Sequence, residues 1–391
     1  MKGAKDSWLS PFNLVAGPIL LFGGVIVILR YALGLAWATN LTHQTTWGLW
    51  TGFKLVFVAL AASGYTLTTA VYIFGLDEYH PLVRPAVLSG FLGYSLFILI
   101  LLFDLGRAWR IYYPFLVQPG ATSALFEIAL CVALYYTTQF LELTPVAFEW
   151  LGWKRWRRVM VGATVGLTVF GLLLSALHQS TLGALFLTVP GKVHPLWYSP
   201  YVPLHFFISS AAGGVSMVVL LGVISKRLFS HKMEISREEL DRLTIGLGKG
   251  GAIVLAVYFA VKMVDISLGN KWHELGTGWG AWYLVEVLGF VLVPCGLYAY
   301  AYREKLPRLV RFAAGMTVFG VILNRLNISI IAFNWKFPLE QRYFPSWQEW
   351  VVVVFLITLG VTIFRFAVKN FAILHDHPDY AHHHGHQPQE R

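Results

Sequence analysis

The stretch Ala176-Leu177-His178-Gln179-Ser180-Thr181-Leu182-Gly183, followed by Lys192-Val193-His194-Pro195-Leu196-Trp197-Tyr198 and then Pro203-Leu204-His205, sets three histidines, a glutamine and several hydroxyls between two apolar runs. Those runs, roughly 158–178 and 203–225, each approach the ~20 residues a helix needs to cross hydrocarbon. The polar stretch is therefore predicted to lie at one face of a bilayer, between two spanning helices.

Composition extends this reading to the whole chain. Of 391 residues, 57% are hydrophobic and only 13% charged, about half the charge of a soluble domain at ~25%. Lipid must act as the solvent, so the predicted fold class is an all-α polytopic membrane protein. The first apolar run lacks a small-residue cleavage motif and is too long for a signal-peptide core, so it is expected to be retained. Cys131 and Cys295 lie singly in apolar runs, which fits neither a disulfide framework nor a thiolate metal site. The net charge of +10 resides at span ends, which argues against nucleic acid and for a topology signal.

Ten spans are predicted, at about 12–34, 47–74, 84–104, 120–144, 158–178, 203–225, 247–267, 279–301, 310–332 and 347–368. Trp47, Trp50, Trp150, Trp153, Trp197, Trp272 and Trp347 mark their ends as an aromatic belt. Lys and Arg concentrate in the loops 145–158, 226–246 and 302–311, and are scarce in 35–46, 179–202 and 268–278. The positive-inside rule then places both termini in the cytoplasm of a bacterial inner membrane, with the opening stretch outside. Ser236-Arg237-Glu238-Glu239 reads as a capping box that opens a short surface helix. The tail from His375 carries six histidines, a composition that fits disorder or metal binding.

The two halves share a pattern. The second and sixth spans carry small, hydroxyl-rich cores, Ala61-Ala62-Ser63-Gly64 and Ser209-Ser210-Ala211-Ala212-Gly213-Gly214, which suit close helix approach. Asp104 and Asp265 close the third and seventh spans. Glu127 and Glu286 lie in the fourth and eighth, each expected two turns inside the outer face. These placements predict two four-helix bundles with flanking helices. The segments are residues 1–46, a first bundle at 47–178, a periplasmic loop at 179–202, a second bundle at 203–332, a loop and last span at 333–368, and a cytoplasmic tail at 369–391.

Ionisable groups inside a membrane are costly and mark function or internal pairing. Asp104 is read either as an interfacial partner of a nearby arginine or as a ligand-facing acid, and Glu127 as a carboxylate able to exchange protons. His178, at the expected end of the fifth span, is a candidate proton shuttle. Lys262 and Asp265 share a helix face and either neutralise each other or, with Glu286 and Arg325, line a polar path. Lys54 either snorkels or pairs with Glu127. The histidines are expected only at span ends, in loops or in the tail, which does not suit haem held across helices. No CxxCH, cysteine cluster, P-loop or dinucleotide fingerprint occurs. A quinone, apolar with two hydrogen-bonding ends, is compatible with an acid and a histidine at the membrane edge. A secondary transporter remains an alternative, with Gly213-Gly214 and Gly250-Gly251 as candidate helix breaks.

The stretch Asp77-Glu78-Tyr79-His80-Pro81-Leu82-Val83-Arg84-Pro85-Ala86, with Gly93-Tyr94-Ser95, resembles the NrfD/polysulfide-reductase membrane subunits, in particular the so-called cytochrome b subunit of hydrogenase-2-type [NiFe] hydrogenases. Further similarity lies in Asp104-Leu105-Gly106-Arg107, Ser123-Ala124-Leu125-Phe126-Glu127, Leu177-His178-Gln179-Ser180, Lys192 to Trp197, and Tyr343-Phe344-Pro345-Ser346-Trp347-Gln348-Glu349. The resemblance spans about residues 47–350. It implies a quinone or menaquinone site in the first bundle, a periplasmic ferredoxin-like [4Fe–4S] partner and a catalytic subunit such as a [NiFe] hydrogenase. It also implies no haem or iron–sulfur cluster in this chain. By motif, Asp104, Glu127 and His178 are the candidate catalytic residues, joined at the quinone by Gln179, His194 and Trp197. Lys262, Asp265, Glu286 and Arg325 form the candidate proton path, and no metal ligand is expected. Lys54, where hydrogenase relatives often carry an acid, and Lys262 depart from the pattern, which leaves proton translocation open. A sulfur-compound reductase or a quinol–cytochrome complex is the alternative setting.

Overall fold

The computed structural model describes residues 10–375, with backbone alone at position 339. Among these residues ten helices are long and apolar enough to cross a membrane: α1 (Pro11–Leu33), α2 (Leu49–Tyr72), α3 (Asp77–Asp104), α4 (Ala124–Leu151), α5 (Lys154–Thr188), α6 (Val202–Leu228), α7 (Arg237–Leu268), α8 (Gly278–Arg303), α9 (Pro307–Ile331) and α10 (Trp347–Asn370). No strand forms among the described residues beyond an isolated bridge between Val193 and Phe333. The chain is an all-α multi-pass membrane protein, because in hydrocarbon a helix satisfies its backbone within its own segment.

Helix α2 packs on α3, α3 on α4 and α4 on α5, while α6 packs on α7 and α9, and α8 on α7 and α9. Helix α6 also lies along α2 and α5, joining the two groups, and α1 and α10 pair on the outside, where α10 packs on α3. The α2–α6 contact uses the small residues of both spans. A Cβ on Gly214 would stand 2.8 Å from the Ala62 backbone and 2.7 Å from Thr66 Oγ1, so this close approach requires glycine. Leu21, Leu173, Phe312 and Phe366 point outward and are more than half exposed, as lipid-facing side chains are.

Several boundaries differ from expectation. Helix α4 runs to Leu151 and α5 starts at Lys154, so most of the predicted 145–158 loop is helical. The turn between them is made by Gly152, whose φ of 69° is left-handed and free of strain only for glycine. Helix α5 passes His178 and ends in a 3₁₀ turn at Thr188, which shortens the predicted 179–202 loop to residues 189–201. Ser236 does accept the N–H of Glu239, but it caps the long spanning α7 rather than a surface helix. The histidine-rich tail beyond His375 lies outside the described residues.

On the face opposite the chain ends, the loop before α6 is laced to the loop after α9. The His194 N–H donates to Ala332 O at 2.9 Å and the Asn334 N–H to Lys192 O at 2.6 Å. The Tyr343–Glu349 motif is a staple at the same face. Ser346 and Glu349 form a capping box on α10. The Glu349 carboxylate also accepts from the Asn40 N–H at 3.2 Å and from the Tyr343 hydroxyl. Tyr343 in turn accepts the Leu49 N–H at 2.8 Å, which ties the start of α2 to the start of α10.

Candidate functional site

At the face opposite the chain ends, Asp104 is the last residue of α3, and Lys54 of α2 donates to its carboxylate at 2.5 Å. The pairing is with Lys54, not with a neighbouring arginine, and it leaves Glu127 to another partner. Arg30 of α1 reaches the carbonyl of Leu105 at 2.6 Å, so three helix ends converge here. Glu127 is shallower than its sequence context predicts. It lies in the first turn of α4, exposed, because the helix starts at Ala124 rather than near 120. The Thr181 hydroxyl of α5 donates to it at 2.9 Å.

His178 lies one turn below Thr181 and is fully buried. It is an interior residue of α5, not a helix end, and its ring stands 5.5 Å from Tyr94 and 6.0 Å from Phe97, centroid to centroid. Neither ring nitrogen has a hydrogen-bond partner. Tyr94 is ten residues before Asp104 on α3, a separation of about 15 Å along a helix axis. His178 is thus a mid-bundle group beneath the Glu127–Thr181 pair, and stands well apart from Asp104. Gln179, the next residue, faces elsewhere: its amide donates to Val58 O at 2.9 Å and braces α5 on α2.

From His178 a line of polar side chains continues toward the face of the chain ends. Tyr94 stacks edge-on with Tyr135 at 4.7 Å, and the Gln139 amide donates to the Tyr135 hydroxyl at 3.1 Å. One turn further, the Thr168 hydroxyl donates to Glu142 at 3.4 Å. Glu142 lines a cavity of 330 Å³ together with Tyr72, Asp77, His80, Arg84 and Glu149. Glu149 is held there by Arg84 at 3.0 Å and Arg157 at 2.8 Å. Along the line the Tyr94 hydroxyl, Ser175 Oγ and Gln139 Oε1 are buried without partners. Buried polar atoms are almost always satisfied, so a cluster of exceptions singles this line out from the rest of the helix packing. Sequence reasoning missed this line, although Tyr135, Gln139 and Glu142 at i, i+4 and i+7 place one polar stripe on a single helix face.

The second bundle holds a different arrangement. Glu286 is buried, and its two oxygens accept four bonds: from Lys262 at 3.1 Å, Asn324 at 2.8 Å, Trp197 at 2.7 Å and Asn327 at 2.6 Å. Lys262 therefore pairs with Glu286 and not with Asp265, its neighbour along α7. Asp265 accepts from Ser199 at 2.8 Å and Lys271 at 3.0 Å, with His205 3.8 Å away. Arg325 is also fully buried. It donates to Asn324 at 2.6 Å, Ser209 at 2.9 Å and Phe206 O at 3.1 Å, over the Phe206 ring. Both Glu286 and Asn327 sit in π-helical turns, Val285–Leu292 and Asn327–Ile331, where the wider turn re-aims side chains and often marks function.

His194 and Trp197, expected beside the first-bundle site, belong to this second cluster. Trp197 reaches Glu286, and the His194 ring is boxed by Trp197, Trp279 and Trp335 with centroids 5.7, 5.2 and 4.6 Å away. Burial pushes the His194 imidazole below its ordinary pKa, a shift that the neighbouring Glu274 opposes. The expected site residues thus fall into two sets. Asp104, Glu127 and His178 line the first bundle; His194, Trp197, Lys262, Asp265, Glu286 and Arg325 cap and fill the second. Among the described residues the two histidines buried inside helices, His178 and His205, pack apart, against Tyr94 of α3 and Tyr258 of α7. Among the described residues no group of three or more His, Cys, Asp or Glu is placed to hold a metal ion. The glycine pairs Gly213-Gly214 and Gly250-Gly251 lie within unbroken helices, so the helix breaks anticipated for a transporter do not occur there.

The family described as "Polysulphide reductase, NrfD" matches residues 37–334. The chain belongs to the NrfD family. Among its relatives, a protein of Nitratidesulfovibrio vulgaris is 46% identical over 96% of this chain and 97% of its own length. The probable Ni/Fe-hydrogenase 2 b-type cytochrome subunit of Escherichia coli is 29% identical over 93% of both chains. The integral membrane subunit of menaquinone reductase from N. vulgaris is 24% identical over 95% of this chain and 94% of its own. For this NrfD-family chain the matched region covers both bundles and both polar clusters.

Proposed function

We propose that this protein is the quinone-reactive membrane subunit of an oxidoreductase complex. It passes electrons between a ferredoxin-like [4Fe–4S] subunit and the (mena)quinone pool, and the substrate chemistry belongs to a partner such as a [NiFe] hydrogenase. The relatives named as a hydrogenase-2 subunit and a menaquinone reductase subunit support this reading. The observation that carries it is His178, fully buried with two unpartnered ring nitrogens beneath the Glu127–Thr181 pair. A quinone carbonyl needs a donor in an otherwise apolar setting, and Tyr94 and His178 both have donors to offer. Reduction of a quinone takes two electrons from the iron–sulfur partner and two protons from the protein. Glu127 and His178 exchange those protons, and the Lys54–Asp104 pair fixes the helix ends that bound the same edge.

In this reading the chain ends face the cytoplasm of a bacterial inner membrane, as the Lys and Arg bias of the loops supports. Glu127 then opens outside, toward the iron–sulfur partner, and the 330 Å³ cavity at Glu142 opens toward the cytoplasm. Protons reach His178 from that cavity along Glu142, Gln139, Tyr135 and Tyr94. A second route, through Lys262, Asp265, Glu286 and Arg325, is favoured by the π-helical turn that carries Glu286.

The test is the purified complex with a bound quinone-site inhibitor. Inhibitor density within contact of Glu127 or His178 is expected, and density elsewhere overturns the site. Replacing Glu142 and Glu286 in turn by Gln, and measuring quinone-coupled proton uptake in proteoliposomes, separates the two routes.

A further inference from the structure

At the face of the chain ends, the ends of α6, α7 and α9 bound a cavity of 480 Å³, and basic side chains make up half of the residues that line it. Lys226, Arg227, Arg237, Arg308 and Arg311 line it, against one acid, Asp241. That acid is already taken by Arg311, and the Lys226 ammonium is taken by the carbonyls of Met233 and Ile235. Arg227, Arg237 and Arg308 are exposed, and none has an ion-pair or side-chain hydrogen-bond partner among the described residues. The Arg311 Nε is buried and likewise unpartnered. A topology signal alone needs positive charge on this face. It does not need three free guanidinium groups turned onto one cavity.

The apolar surroundings say what kind of anion fits. Ile224 on α6 and Phe312 on α9 lie one turn deeper along their helices than Arg227 and Arg308, on the same helix sides by their i, i+3 and i, i+4 spacing, and are 49% and 60% exposed. Guanidinium groups above a strip of exposed aliphatic and aromatic side chains match a phosphate at headgroup depth with acyl chains running below it. The cavity also lies where α7 and α9 begin, and helix N-termini favour an anion.

We propose that this cavity is a binding site for an anionic phospholipid, whose phosphate is held by Arg227, Arg237 and Arg308 and whose chains lie along α6 and α9. None of the residues that line it belongs to either polar cluster, and the proposal is independent of the proposed quinone chemistry.

The test uses the full chain, purified in detergent and reconstituted into nanodiscs of phosphatidylcholine with or without a fifth of phosphatidylglycerol or cardiolipin. Native mass spectrometry counts retained lipid and thermal unfolding reads its effect. Retained anionic lipid and a raised unfolding temperature are expected, and the R227Q/R237Q/R308Q variant should retain at least tenfold less. The R303Q/K305Q variant, which removes two cations of the same face outside the cavity, should retain it all. Equal retention of phosphatidylcholine, or equal loss in both variants, overturns the proposal. Millimolar inorganic phosphate should neither raise the unfolding temperature nor displace the lipid; if it does both, the cavity takes free phosphate and the lipid assignment falls.

Discussion

Trp197, in the loop before α6, donates its indole N–H to the buried carboxylate of Glu286 at 2.7 Å. A surface loop is thereby fixed to the interior of the second bundle, through an acid that also neutralises Lys262. Trp197→Phe removes one of four donors and is expected to cost about 1–3 kcal/mol, read as a lower unfolding temperature of the purified chain. Glu286→Ala leaves the Lys262 ammonium buried and unpaired, at about 3–5 kcal/mol. A smaller loss for Glu286→Ala than for Trp197→Phe would remove Glu286 as the centre of this cluster.

His178 is buried with neither ring nitrogen hydrogen-bonded, and the proposed function assigns it proton exchange with the quinone. His178→Phe should keep the fold, since the ring lies against Tyr94 and Phe97, and should lower quinone reduction by about 10²–10⁴-fold, the span of general acid–base catalysis. Asp104→Asn, about 15 Å further along the helix axis, should have a much smaller effect. Comparable losses from both would mean that the site lies at the Lys54–Asp104 edge instead.

Glu142 lines the cavity, accepts from Thr168 and lies three residues beyond Gln139 on α4. Glu142→Gln should slow quinone-coupled proton uptake at least tenfold while leaving quinone affinity unchanged. If uptake is unaffected and Glu286→Gln abolishes it, the route runs through the second bundle.

The His194 ring sets a pH dependence. Burial among three tryptophans holds its pKa below the ordinary 6.5. Above 6.5 the ring is neutral folded and unfolded, so it adds no slope. As pH falls below 6.5 the unfolded chain takes up the proton first, and stability declines until the folded ring is protonated too. The unfolding temperature of the purified chain should therefore fall over that range, and His194→Phe should flatten the decline.

Gly214 tests the contact between the bundles. A Cβ there meets Ala62 and Thr66 at under 3 Å, so Gly214→Ala should destabilise by about 1–3 kcal/mol through overpacking. Gly250, with open space around its Cβ position, should accept alanine with little change.

The amino-acid sequence by itself determined the membrane class, the ten spans and the bias of basic loops, because each depends on the local density of apolar or charged residues. It also singled out Glu127, His178 and Glu286, because ionisable groups in apolar runs are conspicuous in one dimension. Helix lengths were less legible. A polar residue such as His178 reads as a span end, yet α5 carries it inward, since its neighbours Tyr94 and Phe97 come from another helix. Partner choice was decided only by the tertiary structure. The sequence left Lys54 to snorkel or to pair with Glu127, and Lys262 to pair with Asp265 or to join Glu286. Sequence separation does not predict the outcome: Lys54 takes Asp104, the nearer acid in the chain, and Lys262 takes Glu286, the more distant one, because interaction depends on which helix faces lie opposite one another. The same holds for Trp197, which sits 19 residues from His178 in the chain yet joins the other bundle. The line from Glu127 to Glu142 is a stripe only when α3, α4 and α5 stand side by side.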